Sequence, residues 1–127
     1  MKLMVIILNK VDSLEYLLEG LSAVGICGAT VIESSGMAGI LSKVNSSFIN
    51  SSLKSFFSDG EDNRTILSVI KNSQLDIARR VIYNTIGDLS LPNTGIMFTL
   101  PIDFAEGLTK ADSDPVSIED NTAAGKG

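Results

Sequence analysis

Apolar positions along this chain switch between two periods. Residues 3–8, Leu-Met-Val-Ile-Ile-Leu, form an unbroken apolar run. It is too short for a helix and has the length of a strand buried on both faces. Leu3, Val5 and Ile7 fall on one face of such a strand, and Met4, Ile6 and Leu8 on the other. Both faces of a sheet built around it therefore need cover. The period then changes. Leu14, Leu17, Leu18 and Leu21 recur at helical spacing, with Glu15 and Glu19 off the stripe. This predicts an amphipathic helix that ends near Val24, with Gly25 as its stop. Asp12 and Glu15 are spaced as a capping box, and Val11 and Tyr16 as a hydrophobic staple. Residues 29–34, led by Ala29-Thr30-Val31-Ile32, predict a short strand.

The same succession recurs. Residues 64–70 read as a strand, and 73–86 as a helix with Leu75, Ala78, Ile82 and Ile86 on one stripe. Ile77 and Val81 widen that stripe, and Gly87 is its natural stop. The cluster Leu91-Pro92-Asn93-Thr94-Gly95 forms a turn before a strand over 96–100. Two βαβ units of similar length predict an α+β fold. This is the ferredoxin-like βαββαβ sandwich, a four-stranded antiparallel sheet with two helices on one face. A doubly wound parallel sheet would want more strands than the chain supplies. Residues 1–107 make one domain. The tail over 108–127 loses periodicity and reads as disordered.

Between the units lie 29 residues, 35–63, eight of them serine. A hairpin there would need only about 2–5. Leu41, Val44, Phe48, Leu53, Phe56 and Phe57 carry a partial helical period. Two readings stay open: a mobile loop with a few apolar anchors, or a loop that orders on a partner.

Composition narrows the chemistry. Fifteen acidic residues against ten basic give a net charge of −5, which argues against a nucleic-acid surface. The chain has no histidine. That removes Ser-His and Cys-His catalysis and His-ligated zinc. Its single cysteine, Cys27, excludes an internal disulfide and a Cys-rich metal site. Placed just ahead of a strand, Cys27 is expected to be a buried structural thiol in a reducing compartment. Asp59-Gly60-Glu61-Asp62 reads as a solvated acidic turn and Arg79-Arg80 as a surface pair. No catalytic residue, metal site or defined cofactor emerges, and a non-enzymatic module is expected. The N-terminal apolar run is shorter than a secretory core and is followed at once by Asn9, Lys10 and Asp12. No stretch approaches the ~20 apolar residues of a membrane helix. The cytoplasm and no membrane insertion are expected. The glycines offer more. Gly36 and Gly39 flank the exit of the second strand, and Gly87 and Gly95 bracket the loop before the last. Such loops can present backbone N–H groups to an anion.

The stretch Val24-Gly25-Ile26-Cys27-Gly28-Ala29-Thr30-Val31-Ile32-Glu33-Ser34-Ser35-Gly36 resembles a motif of the PII-like signalling family. That motif, V-G-I-x-G-x-T-V-x-E-x-x-G, joins the first helix to the second strand and the base of a long T-loop. Asn63-Arg64-Thr65-Ile66, Gly87-Asp88 and Gly95-Ile96-Met97-Phe98-Thr99-Leu100-Pro101-Ile102-Asp103 are similar to later parts of the family pattern. The likeness covers about residues 1–108. It implies a homotrimer whose intersubunit clefts bind adenine nucleotides and whose long loop, here 35–63, contacts a target protein. Carried over by position, Gly28, Thr30 and Gly36 would line one wall of a cleft, and Gly87 and Asp88 the neighbouring wall. Nitrogen-sensing members place a lysine ahead of the last strand, where this chain has Gly95. They place arginines after it, where it has Ile102, Asp103, Phe104 and Ala105. The resemblance therefore implies a nucleotide with fewer charges than ATP. The alternative is a scaffold trimer with no small ligand. A metal-tolerance trimer of the same fold does not suit a chain with no histidine and one cysteine.

Overall fold

A computed structural model describes residues 1–44 and 62–109. The middle of the 35–63 segment, the Asp59 and Glu61 carboxylates and the tail beyond 109 lie outside the described residues. So does part of the expected apolar pattern in that segment: Phe48, Leu53, Phe56 and Phe57.

The described elements run in the order β1 (Lys2–Leu8), α1 (Leu14–Ala23), β2 (Thr30–Ser34), α2 (Met37–Val44), β3 (Asn63–Ile70), α3 (Leu75–Ile86) and β4 (Gly95–Pro101). Short 3-10 turns precede α1 and α3. The four strands form one sheet in the order β2-β3-β1-β4, and every neighbouring pair is antiparallel. Each βαβ unit therefore straddles a strand of the other, which is the ferredoxin-like α+β arrangement. A doubly wound parallel sheet is not formed.

Strand alternation decides what the sheet buries. Met4, Ile6 and Leu8 of β1 face the same way as Ile66 and Ile70 of β3. They form one buried cluster with Leu17 and Leu21 of α1 and Ala78, Ile82 and Ile86 of α3. Both helices thus cover one face, and the stripes read from the sequence are the buried ones. The helices come close at Gly20, where an added Cβ would lie 2.8 Å from Val81 Cγ1.

The opposite face is also apolar. Register aligns Leu3 with Val69 and Leu100, Val5 with Leu67 and Phe98, and Ile7 with Thr65 and Ile96. Ile32, Ile96, Phe98 and Leu100 on that face are exposed. Only at the centre, where Val5 is shielded by its large neighbours, is this face dry.

Helix ends follow local chemistry with one exception. Gly25 (φ 91°) and Gly87 (φ 102°) terminate α1 and α3 in backbone that side chains disfavour. The capping box expected from Asp12 and Glu15 is not made. A 3-10 turn over Val11–Ser13 shifts the start of α1 to Leu14, with Ser13 as N-cap and no side-chain cap. The staple positions become Asp12 and Leu17, which leaves Tyr16 exposed and takes Val11 and Tyr16 out of register for a staple.

Candidate functional site

The residues singled out from the sequence fall at three places. The first is the connection from α1 to β2, which runs beside the second half of β3. Ser68, a buried serine between Ile66 and Ile70, donates its hydroxyl to the Gly28 carbonyl at 2.6 Å and pins this connection. Gly28 and Thr30 line a groove of about 840 Å³ whose walls include Leu3, Leu67, Lys71 and Gly107-Leu108-Thr109. A Cβ at Gly28 would meet nothing within 4 Å, so the missing side chain there is open groove.

Cys27 lies in the same connection and is exposed, not buried as expected. Its neighbour Ile26 takes the core position instead, 6% exposed. The thiol is 3.9 Å from both the hydroxyl and the carbonyl of Ser22.

The second place is the base of the long segment, where β2 meets β3 in three successive rungs. Glu33 pairs with Arg64 at 3.9 Å. Ser34 donates to Asn63 Oδ1 and lies 2.7 Å from Thr65 Oγ1. A serine hydroxyl has one hydrogen, so Thr65 is the donor in the second contact. Ser35 donates to Asp62 Oδ1 at 2.8 Å. Gly36 follows at the N-cap position of α2, its carbonyl accepting from Ile40 N–H at 3.0 Å. Its φ is not positive, unlike that of Gly25, Gly87 and Gly95. A left-handed backbone is therefore not what requires glycine there, because an N-cap residue takes extended φ. An added Cβ would approach Asn63 Nδ2 to 3.3 Å. The Ser34–Asn63–Thr65 cluster was not read from the sequence. Its only signal there is polar residues at alternate positions, and the register that brings them together is not local.

The third place lies beyond α3. Gly87 N–H bonds to the Tyr83 carbonyl at 2.9 Å. Asp88 Oδ1 accepts from Ser90 N–H at 2.9 Å and from Ser90 Oγ at 2.8 Å. The Ser90 backbone N–H, then its hydroxyl, hold the Asp88 carboxyl below its ordinary range. Gly87 and Asp88 border a hollow of about 260 Å³ with Arg79, Tyr83, Leu89 and Met97. Thr94 anchors the loop from both sides. Its hydroxyl donates to Leu91 O at 2.8 Å, and its carbonyl receives Asn9 N–H at 3.1 Å.

One protomer does not bring these groups together. Gly28, Thr30 and Gly36 belong to the β2 edge of the sheet, and Gly87 and Asp88 lie beside β4 at the other edge. Three strand spacings, about 14 Å, separate the edges. The charged groups at these places are Lys71 at the groove, the Glu33–Arg64 pair and Asp62 at the base of the long segment, and Asp88 and Arg79 at the hollow, with Arg79 4.0 Å from Asp76.

At Gly95, the first residue of β4, the backbone leaves no room for a side chain. Its φ is 153°, and a Cβ would sit 2.5 Å from the Ile7 carbonyl oxygen. Among the described residues, no three acidic or cysteine side chains gather as a metal could require, and no helix is long and apolar enough to cross a membrane. Compared with protein-family models the chain matches none, and it matches no curated protein either.

Proposed function

We propose that this chain acts as a PII-like signalling protein. Three protomers close into a ring. A small ligand, an adenine nucleotide, occupies the cleft between neighbours, with Gly28, Thr30 and Gly36 on one wall and Gly87 and Asp88 on the other. The loop over 35–63 meets a target protein, and the assembly works in the cytoplasm without catalysis. The observation that carries this reading is the second sheet face. Leu3, Val5, Ile7, Leu67, Val69, Ile96, Phe98 and Leu100 share it, and four-stranded sheets do not leave such a surface wet without a partner. The placement of the sites supports the ring. Groups on opposite edges of one protomer meet when edges of successive copies join head to tail, and such a contact closes into a cyclic oligomer.

Backbone N–H groups and hydroxyls line these sites; Lys71 stands beside them, while Arg64 and Arg79 face Glu33 and Asp76, and Asp62 and Asp88 add negative charge. Charge-assisted contacts contribute about 1.5–3 kcal/mol each, so their scarcity disfavours a triphosphate. AMP or a cyclic dinucleotide is expected to bind at least as well as ATP. Calorimetry with these nucleotides, on the wild type and on Gly28→Val, tests the reading. Gly28→Val adds bulk only to open groove, so binding should fall while thermal stability is kept. A stable trimer that binds none of them would be the scaffold of the alternative reading. Binding unaffected by Gly28→Val would place the ligand elsewhere.

A further inference from the structure

Strand β2 is shorter than the strand it pairs with. It begins at Thr30, opposite Leu67, while β3 runs on to Ile70. The chain that leads into β2 does not complete the ladder. It departs on the helix-covered face, where Ser68 holds the Gly28 carbonyl. Alternate residues of an antiparallel strand turn both backbone groups to the same side. At least one residue of 68–70 therefore turns an N–H and a C=O away from β1. Among the described residues, no backbone group of 24–29 or of 102–109 bonds to them. They open into the groove of about 840 Å³, where Leu3, Val69 and Leu108 are apolar. Lys71 is the one charged side chain among the described residues that line it.

A free donor and acceptor on a strand edge, apolar flanks and one cation define their complement. It is an extended peptide with alternating apolar residues next to a carboxylate. The chain carries such a segment. Val116 and Ile118 alternate around Ser117, after Pro115 and ahead of Glu119-Asp120. That is strand period, and proline is tolerated at the first residue of an edge strand. The path also leads there. Gly107, Leu108 and Thr109 form a wall of the groove, so residue 110 departs from the groove itself. The seven residues from Thr109 to Val116 can span about 23 Å, against about 10 Å for the open edge, which leaves length to turn back. We propose that Val116–Ile118 adds to β3 as a short strand beside Ser68–Ile70, with the two carboxylates that follow turned toward Lys71. The chain's own later segment thereby closes the groove, and tethering keeps its local concentration high. Competition between this strand and a nucleotide over Gly28 and Thr30 rests on the function proposed above; the docking itself does not.

The test is amide exchange by NMR and thiol labelling, on the full chain without nucleotide. Cys27 is exposed, lines the same groove and is the sole cysteine, so a small maleimide reports on closure. Val116→Asp with Ile118→Asp removes the apolar contacts and touches no residue of the core cluster, so the thermal midpoint should hold. In the wild type every amide of 68–70 should exchange slowly. In the double variant at least one should exchange at least about tenfold faster, and Cys27 should label several-fold faster. Unchanged exchange or unchanged labelling in the folded variant would overturn the proposal, as would a fast-exchanging amide at 68–70 in the wild type. Protection that disappears on dilution would also overturn it, since the added strand would then come from another copy. Neither readout involves a nucleotide, so a failure here is distinct from a failure of the calorimetry.

Discussion

Gly95 shows how one missing carbon can govern a site. It opens β4 opposite Leu8, and a Cβ there would collide with the Ile7 carbonyl. Gly95→Ala should destabilise the protein by about 2 kcal/mol or more, through strained φ plus a backbone clash. Urea unfolding will measure this, and a loss under 0.5 kcal/mol would mean that the strand ends relax freely. Asp88 makes a softer prediction. Both bonds from Ser90 favour its ionised form, so its folded pKa lies below the ordinary 3.8. For a depressed carboxyl, the associated stabilisation is in place above the unfolded pKa and is lost as pH falls through the folded one. The turn at 88–90 should therefore hold at neutral pH and loosen only below about pH 3.8. NMR titration of the Asp88 carboxyl and the Ser90 amide would show this, and a midpoint at or above 3.8 would contradict it.

Between elements, hydroxyls tie connections to the sheet. Ser68 occupies a core-facing position in β3, where Ile or Val would pack, because its hydroxyl holds the Gly28 carbonyl and thereby the groove wall. Ser68→Ala should cost about 1–2 kcal/mol, since it leaves a part-buried carbonyl without its partner. It should also speed hydrogen exchange across 24–29 more than in β1. Uniform protection in the variant would show that the connection is held by packing alone. The three rungs at the base of the long segment work alike. They carry the pairing of β2 and β3 to the last residues before α2, so that α2 departs from an anchored point.

For the assembled molecule, the uncovered sheet face makes the sharpest prediction. Phe98 and Leu100 are exposed in the protomer, so a charge there costs the isolated fold little. Buried against another copy, the same charge would be unpaired and expensive. Wild-type protein should scatter light as three times the 13.5 kDa chain. Phe98→Asp should scatter as one chain and keep its secondary structure. A wild type that stays monomeric at micromolar concentration would remove the support for the ring.

Periodicity was legible before any coordinate, because periods of 2 and 3.6 are written locally, one neighbour at a time. They located all four strands, α1, α3 and the glycine that stops each of those helices, to within two residues, and showed that β1 is apolar on both sides. Leu41 and Val44 hinted at α2, but nothing local told whether that stripe would find a partner within the chain. Which face of β1 the helices cover was not legible. Met4, Ile6 and Leu8 are no more apolar than Leu3, Val5 and Ile7, and the choice rests on how the crossovers pack. Nor could Ser34, Asn63 and Thr65 be joined from sequence, since a register is a relation between distant strands. The same holds for Cys27, left exposed while Ile26 takes the core position, and for the capping box displaced by one 3-10 turn. Local chemistry wrote the elements; pairing and packing, which depend on residues far apart in the chain, decided which of their surfaces are buried and which stay exposed.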